Sequence, residues 1–399
     1  MFNKKTIEDI EVGNKKVLVR VDYNVPLDDK LNITDDTRIK LSLKTVNYLI
    51  EKKAKVILMS HLGRPKGVVE DKLRLDPVAK RLSQLIGKDV KKFDRVYSEE
   101  IKNYIDNEMS YGEVVMLENL RFDPGEKAND NKLSESLASL ADIYVNDAFG
   151  AAHRAHASVK GVTEHLPAVA GFLIKKEVEI LTSLLESPER PFLAILGGSK
   201  VSDKIKVIKN LLGKVNSLIL GGGMTYTFLK AKGYEIGKSI CEDDQIGFAG
   251  EMLAEAEKKN VRLLLPLDIV IAKEFDSESE KKLVSVQSIP VEWMGMDIGD
   301  KSIEIFKNEI LNAGTIFWNG PVGVFEWKNF SNGTKKIAEA VAESDAVTVA
   351  GGGDTLAALK KYSLTSKLSH VSSGGGASME LLEGSELPGI SSLLDKSIR

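Results

Sequence analysis

The chain has 399 residues, 43% of them hydrophobic and 28% charged, with a formal net charge of -3. That balance is ordinary for a globular protein and lacks the basic excess of a nucleic-acid binder. No uncharged apolar run approaches the roughly 18 residues of a membrane span, and the opening "MFNKKTIEDIEVG" has acids where a secretory signal is apolar. A cytoplasmic protein with no nucleic-acid or membrane partner is therefore expected. The single cysteine, Cys241, cannot close an internal disulfide, in keeping with a reducing compartment.

In chain order, strands are predicted at "KVLVRV", "KVILM", "EVVML" and "DIYV" in the first half. The second half adds "PFLAIL", "SLIL", "RLLLPL", "TIFW", "AVTVA" and "LSHVS". Amphipathic stretches lie between them. "SDKIKVIKNLLGKV" is one, with Ile205, Ile208, Leu211, Leu212 and Val215 at helical spacing. Continuous apolar strands alternating with helices predict α/β architecture, with parallel sheets covered on both faces. Midway, "GFLIKKEVEILTSLLESPERP" reads as one helix with Leu173, Ile174, Val178, Leu181 and Leu185 as its apolar stripe. A domain junction is expected there, because strand-end chemistry changes across it.

In open α/β sheets, ligands bind beyond the carboxyl ends of the strands. In the first half those ends read "DYN" (22–24), "HLGR" (61–64), "ENLRF" (118–122) and "NDAFGAAHRAH" (146–156). Three of the five histidines, His61, His153 and His156, lie within three residues of an arginine in these runs. Arg64, Arg121 and Arg154 would converge if the strands are neighbours, joined by Arg38. Arginine's planar fork suits phosphate and carboxylate, and several such forks around one cleft require a multiply charged anion. Asp22 and Asn24 suggest a hydroxyl to be recognised as well. The expected ligand is a small, acidic, hydroxylated phosphate ester.

In the second half four glycine clusters end strands: Gly197-Gly198, Gly221 to Gly223, Gly351 to Gly353 and Gly374 to Gly376. Glycine lets backbone approach a phosphate, and a following helix offers free N–H groups. None of the triplets completes G-x-G-x-x-G, since Tyr226, Leu356 and Met379 stand at the last position. "GYEIGKS" (233–239) is one residue short of a Walker loop and reads as a surface turn. Lys200 and Lys204 open the segment after "PFLAIL"; if both are helical they share a face. Positive charge at a helix N-terminus is unfavourable, so an anion is expected to compensate. Asp354 among these amides fits a divalent metal bridging it to a phosphate, because Mg²⁺ takes one or two carboxylates plus substrate oxygens. Asp354 or Thr355 as an N-cap is the competing structural reading.

"RVDYNVP", "MSHLGRP", "LENLRF", "NDAFGAAHRAHAS", "LGGSKVSDKI", "FWNGPVGVFE", "AGGGDT" and "SSGGGASMELLEG" occur in order along the chain. Together they resemble the phosphoglycerate kinase family. The resemblance implies two Rossmann-like three-layer domains with parallel sheets facing across a cleft, joined by a hinge helix. The bounds become 1–170 for the phosphoglycerate domain, 171–187 for the helix, 188–383 for the nucleotide domain, and 384–399 for a tail returning to the first domain. The implied reaction is reversible phosphoryl transfer from 1,3-bisphosphoglycerate to MgADP, giving 3-phosphoglycerate and MgATP, by a monomer.

By the same resemblance, Asp22, Asn24, Arg38, His61, Leu62, Gly63, Arg64, Arg121 and Arg154 hold the glycerate substrate. Lys200, Lys204, Gly295, Glu326, Gly352, Gly353, Asp354 and Thr355 hold ATP or ADP, and Asp354 serves Mg²⁺. Arg38, Lys204, Gly374 and Gly375 are the expected catalytic groups. The acceptor carboxylate is already ionised at neutral pH, so no general base is needed, and none stands out in the sequence. The alternatives are an NAD-dependent oxidoreductase on a doubly wound fold, which the missing fingerprint disfavours, and a non-catalytic anion binder.

Overall fold

The computed structural model describes residues 2–396. Met1 and residues 397–399, which the expected first domain and tail include, lie outside the described residues. The chain divides into two units. One runs to Glu179 and resumes at Glu386; the other spans Ile180–Ser385.

The first unit carries strands β1 (Lys16–Arg20), β2 (Lys55–Met59), β3 (Val90–Lys92), β4 (Val114–Met116), β5 (Ile143–Asn146) and β6 (Ala168–Ala170). They form one sheet in the order β3-β4-β2-β1-β5-β6, with every pair parallel. Every residue of β2, β4 and β5 is buried. Successive side chains point to opposite faces, so both faces of the sheet are covered, as continuous apolar strands require. Val17, Val19, Val56, Leu58 and Val114 share a core with Ile39, Val46 and Leu49 of helix Thr37–Glu51.

The second unit carries β7 (Phe192–Leu196), β8 (Ser217–Leu220), β9 (Arg262–Leu264), β10 (Asp268–Ala272), β11 (Lys281–Ser285), β12 (Met294–Ile298), β13 (Thr315–Asn319), β14 (Val347–Gly351) and β15 (His370–Val371). Six of them form a parallel sheet in the order β15-β14-β13-β7-β8-β9. The other three form an antiparallel sheet, β11-β10-β12. That smaller sheet was not expected from the sequence. Most of β11 is solvent-exposed and lysine-bearing, so it lacks the apolar run that marks the buried strands. The "RLLLPL" run is also shorter than expected, ending at Leu264 ahead of Pro266.

Helix Phe172–Glu186 forms where periodicity placed it, and the division between units falls inside it. Asp147, at the end of β5, accepts the Leu173 backbone N–H through Oδ1 at 2.8 Å. Leu184, three residues on from Leu181, is buried in place of Leu185. The terminal segment packs on the first unit: Leu394 donates to the carbonyl of Ala168 at 2.9 Å, and Asn146 Nδ2 donates to that of Gly389 at 2.7 Å.

Candidate functional site

In the first unit, the four loops rich in arginine and histidine follow β1, β2, β4 and β5. These strands are neighbours in the sheet, so the loops meet at one edge. The 61–64 loop is held from below by Asn119, whose Oδ1 accepts the Leu62 N–H at 3.2 Å and whose Nδ2 donates to the Leu62 carbonyl at 2.8 Å. Asn24 Oδ1 accepts from Gly63 N at 2.8 Å, and Arg121 donates to the Gly63 carbonyl at 2.6 Å. Gly63 sits at φ +66, where a Cβ would meet Leu73, so glycine is required at this turn. Arg38 reaches both oxygens of Asp22 through one guanidinium nitrogen, at 3.0 and 2.9 Å. Asp22, Asn24, Leu62, Gly63 and Arg121 are thus joined in one framework, and Arg64 is exposed immediately beyond it.

Sequence reasoning missed the group at the centre. Arg20, the last residue of β1, is 1% exposed. Its guanidinium donates to Ser158 Oγ at 2.9 Å, to the Val21 carbonyl, and to His61 Nδ1 at 3.1 Å. Ser158 passes the contact on to Glu126, a carboxylate buried to 0% exposure, at 2.6 Å. Arginine only donates, so His61 Nδ1 accepts and the neutral ring carries its proton on Nε2. Burial, followed by Arg20, Arg121, Arg154 and Arg38, holds the His61 imidazolium far below the ordinary histidine range. Burial together with Arg154 and Arg20 brings Arg121 down to about 10. His153 is pushed down to about 4 by burial, Arg154 and His156. Arg154 Nε donates to its Nε2 at 3.2 Å, and its buried Nδ1 has no partner among the described residues. Each of these shifts disfavours positive charge in a cluster that Asp22 and Glu126 compensate only in part, an arrangement suited to an anion.

In the second unit, β15, β14, β13, β7 and β8 are consecutive neighbours, and each ends at a glycine loop. Helices start there at Met224, Gly353 and Gly375. Gly352 lies at φ +93, where a Cβ would come 2.7 Å from Asn319 Nδ2. A Cβ on Gly197 would run into the carbonyl of Pro321, and one on Gly222 would lie 2.6 Å from that of Gly198. The glycines therefore let the loops pack on one another. Asn319 links them by accepting from Lys204 Nζ and donating to the Gly351 carbonyl at 2.9 Å. Burial lowers the Lys204 ammonium to about 8, against the opposing pull of Asp203, Asp354 and Glu383.

Several expectations change here. Lys200 lies in an exposed non-helical loop and Lys204 in a 3₁₀ turn, Ser202–Lys204, so the two share no helix face. The α-helix starts at Ile205 and ends at Leu211. The anion beside this turn comes from the chain itself: Glu242 accepts the N–H groups of Val201 and Ser202. Neither Asp354 nor Thr355 is an N-cap. Gly352 holds that position, and Thr355 Oγ1, buried, accepts the Gly320 N–H at 2.7 Å instead. Asp354 is exposed in the first helical turn. Gly374 N is already engaged by Ser372 Oγ at 3.3 Å, whereas Gly375 opens the following helix. Gly295 stands on β12, in the antiparallel sheet, packed against Tyr226 of helix Met224–Ala231. Glu326 is exposed in the loop after β13, and its carbonyl accepts from Lys361 Nζ at 3.1 Å.

Asp354 fits a Mg²⁺ held mainly by substrate oxygens. It is an exposed carboxylate beside Gly353, where a Cβ would meet nothing within 4 Å. Among the described residues, no cluster of three or more His, Cys, Asp or Glu side chains could hold a metal by itself. Also among them, no helix is long and apolar enough to cross a membrane.

The sequence profile described as phosphoglycerate kinase matches residues 7–385. The phosphoglycerate kinase of Dictyoglomus turgidum is 55% identical over 397 residues, covering 98% of this chain and all of the relative. That of Pelotomaculum thermopropionicum is 54% identical over 393 residues, with the same coverage. The structure of phosphoglycerate kinase from Coxiella burnetii superposes with a TM-score of 0.88 at 42% identity, covering 98% of each chain. Nothing in these comparisons supports the oxidoreductase alternative. The chain belongs to the phosphoglycerate kinase family.

Proposed function

We propose that the chain moves a phosphoryl group reversibly between 1,3-bisphosphoglycerate and MgADP, with the glycerate ligand on the first unit and the nucleotide on the second. The observation that carries this reading is the concentration of Arg20, Arg38, Arg121 and Arg154 around a neutral His61. Such crowding suits a doubly anionic ligand. His61 Nε2–H is then a neutral donor for a substrate oxygen, while Arg64, at the exposed rim, receives the phosphate. Asp22 and Asn24 recognise the hydroxyl.

Arg38 engages Asp22 through one nitrogen, which leaves the rest of its fork for the reacting carboxylate. That carboxylate needs no base, so catalysis consists of alignment and charge neutralisation. Lys204 and the amides at Gly375 neutralise the transferring group from the nucleotide side. Lys200, Gly295, Glu326 and the Gly352 to Thr355 loop complete the nucleotide set. When bound at Asp354, Mg²⁺ supplies additional neutralisation of the nucleotide phosphates. Water attacks acyl phosphates, so the reading includes closure of the units about helix 172–186 to exclude it. It also includes action as a cytoplasmic monomer, consistent with a lone free cysteine and with loop clusters supplied by a single chain.

A coupled assay of ATP formation from 1,3-bisphosphoglycerate and MgADP tests the activity. Arg38→Ala is expected to lower kcat by about a hundredfold or more while changing KM little, since alignment acts mainly in the transition state. A normal kcat in that variant would refute the role.

A further inference from the structure

The turn at 233–239 continues into a strap that the roles assigned above do not use. Ser239 Oγ accepts the backbone N–H of Gly295 at 2.9 Å. Ile240 lies against Gly223, where a Cβ would come within 2.7 Å of its Cγ2. The Glu242 backbone N–H donates to Thr227 Oγ1 of helix Met224–Ala231 at 3.2 Å. The Glu242 carboxylate then closes on the Lys204 turn. Its Oε2 accepts from Val201 N at 2.5 Å and Ser202 N at 3.0 Å, and its Oε1 accepts from Ser202 Oγ at 2.6 Å. Within four residues, Ser239, Ile240 and Glu242 thus touch Gly295, a glycine loop, the helix behind that loop, and the turn that carries Lys204.

The turn needs such an anchor. Among the described residues it has no side-chain cap of its own, and its opening N–H groups lie between two lysines, Lys200 and Lys204, an unfavourable arrangement without an anion. Charge-assisted hydrogen bonds to a carboxylate are the strong kind. With the turn fixed, the half-buried Lys204 ammonium is aimed at Asn319. If the turn were loose, it could swing away to solvent.

We propose that Glu242 is a positioning residue for Lys204, and that the Ser239 to Glu242 strap sets the spacing between the Gly295 side and the Lys204 side of the nucleotide site. This rests on the assignment of Lys204 to the nucleotide phosphates.

The test is steady-state kinetics of Glu242→Ala, Glu242→Gln, Lys204→Ala and the Glu242→Ala/Lys204→Ala double variant, with MgATP and 3-phosphoglycerate varied separately. Glu242→Ala is expected to raise KM for MgATP about tenfold and lower kcat about tenfold, leaving KM for 3-phosphoglycerate within about twofold. Glu242→Gln keeps one acceptor oxygen and should fall between it and the wild type; it carries the test if the alanine variant does not fold. In the Lys204→Ala background the Glu242→Ala effect should shrink to less than about twofold.

A lowered melting temperature with unchanged nucleotide kinetics would reduce Glu242 to a purely structural role and overturn the proposal. An equal effect in both backgrounds would also overturn it, and so would a fall in KM for MgATP, which would mean that the carboxylate competes with the nucleotide. If Lys204→Ala itself left nucleotide kinetics unchanged, the assignment of the site would fail. Normal Glu242→Ala beside a crippled Lys204→Ala would remove the strap inference alone.

Discussion

On the proposed assignment of Lys204 to the nucleotide phosphates, nucleotide affinity depends on pH. Burial lowers the Lys204 ammonium to about 8, against the attraction of Asp203, Asp354 and Glu383. An anionic phosphate binds the protonated lysine. Below pH 8 the charge is already present. Above it, binding must first restore a proton, at about 1.4 kcal/mol per pH unit. Affinity for MgADP should therefore be about twofold weaker at pH 8 than at pH 7, and about tenfold weaker at pH 9. Isothermal titration in two buffers of different ionisation enthalpy reads both consequences. At pH 9 about 0.9 proton should be taken up per nucleotide bound, falling to about 0.1 at pH 7. Lys204→Arg stays charged across the range and should flatten both curves. A wild-type affinity that is constant from pH 7 to 9.5, with no proton uptake, would refute the reasoning. So would an arginine variant that keeps the full pH dependence.

Three further outcomes are expected. Arg20→Met removes a fully buried cation and its charge from beside the buried Glu126, leaving that carboxylate to His156 and Ser158, so urea unfolding should show a loss of about 3–5 kcal/mol; a loss under about 1 kcal/mol would mean that Arg20 is not holding this network. Gly197→Ala drives a methyl group into the backbone carbonyls of Gly320 and Pro321; stability should drop by about 1–3 kcal/mol, with KM for the nucleotide raised and KM for 3-phosphoglycerate unchanged, whereas an unaltered melting curve would show that the loops have room. Asp354→Asn should shift the Mg²⁺ titration of activity to higher concentration by about tenfold, since a charged ligand becomes neutral, and an unchanged titration would deny the carboxylate a metal role.

The sheets were legible because their central strands are buried on both faces and so read as unbroken apolar runs. "KVILM" and "SLIL" could hardly be anything else. β3 reads VKK and is partly exposed, β6 is a short AVA run between Pro167 and Gly171, and β11 is exposed, so none of them reads as an apolar run. The strand-end loops were legible as two different chemistries, one of arginine and histidine, one of glycine. Arg20 was not, since nothing in "KVLVRV" distinguishes an arginine at a strand end from one buried beneath a site. Its environment comes from Ser158 and Glu126, more than a hundred residues away in the chain. The competing reading of Asp354 or Thr355 as a cap failed for a similar reason: Thr355 accepts from Gly320, at the end of β13 beside β14.

Hydrophobic periodicity and residue type, both local properties, were enough to specify the two α/β units and to single out which loops bear charge and which bear bare backbone. Protonation states and anchoring contacts depend on burial and on partners brought together by long-range strand order. Only folding could therefore decide that His61 is neutral, that desolvation lowers the Lys204 ammonium to about 8, and that Glu242 occupies the amides beside Lys204.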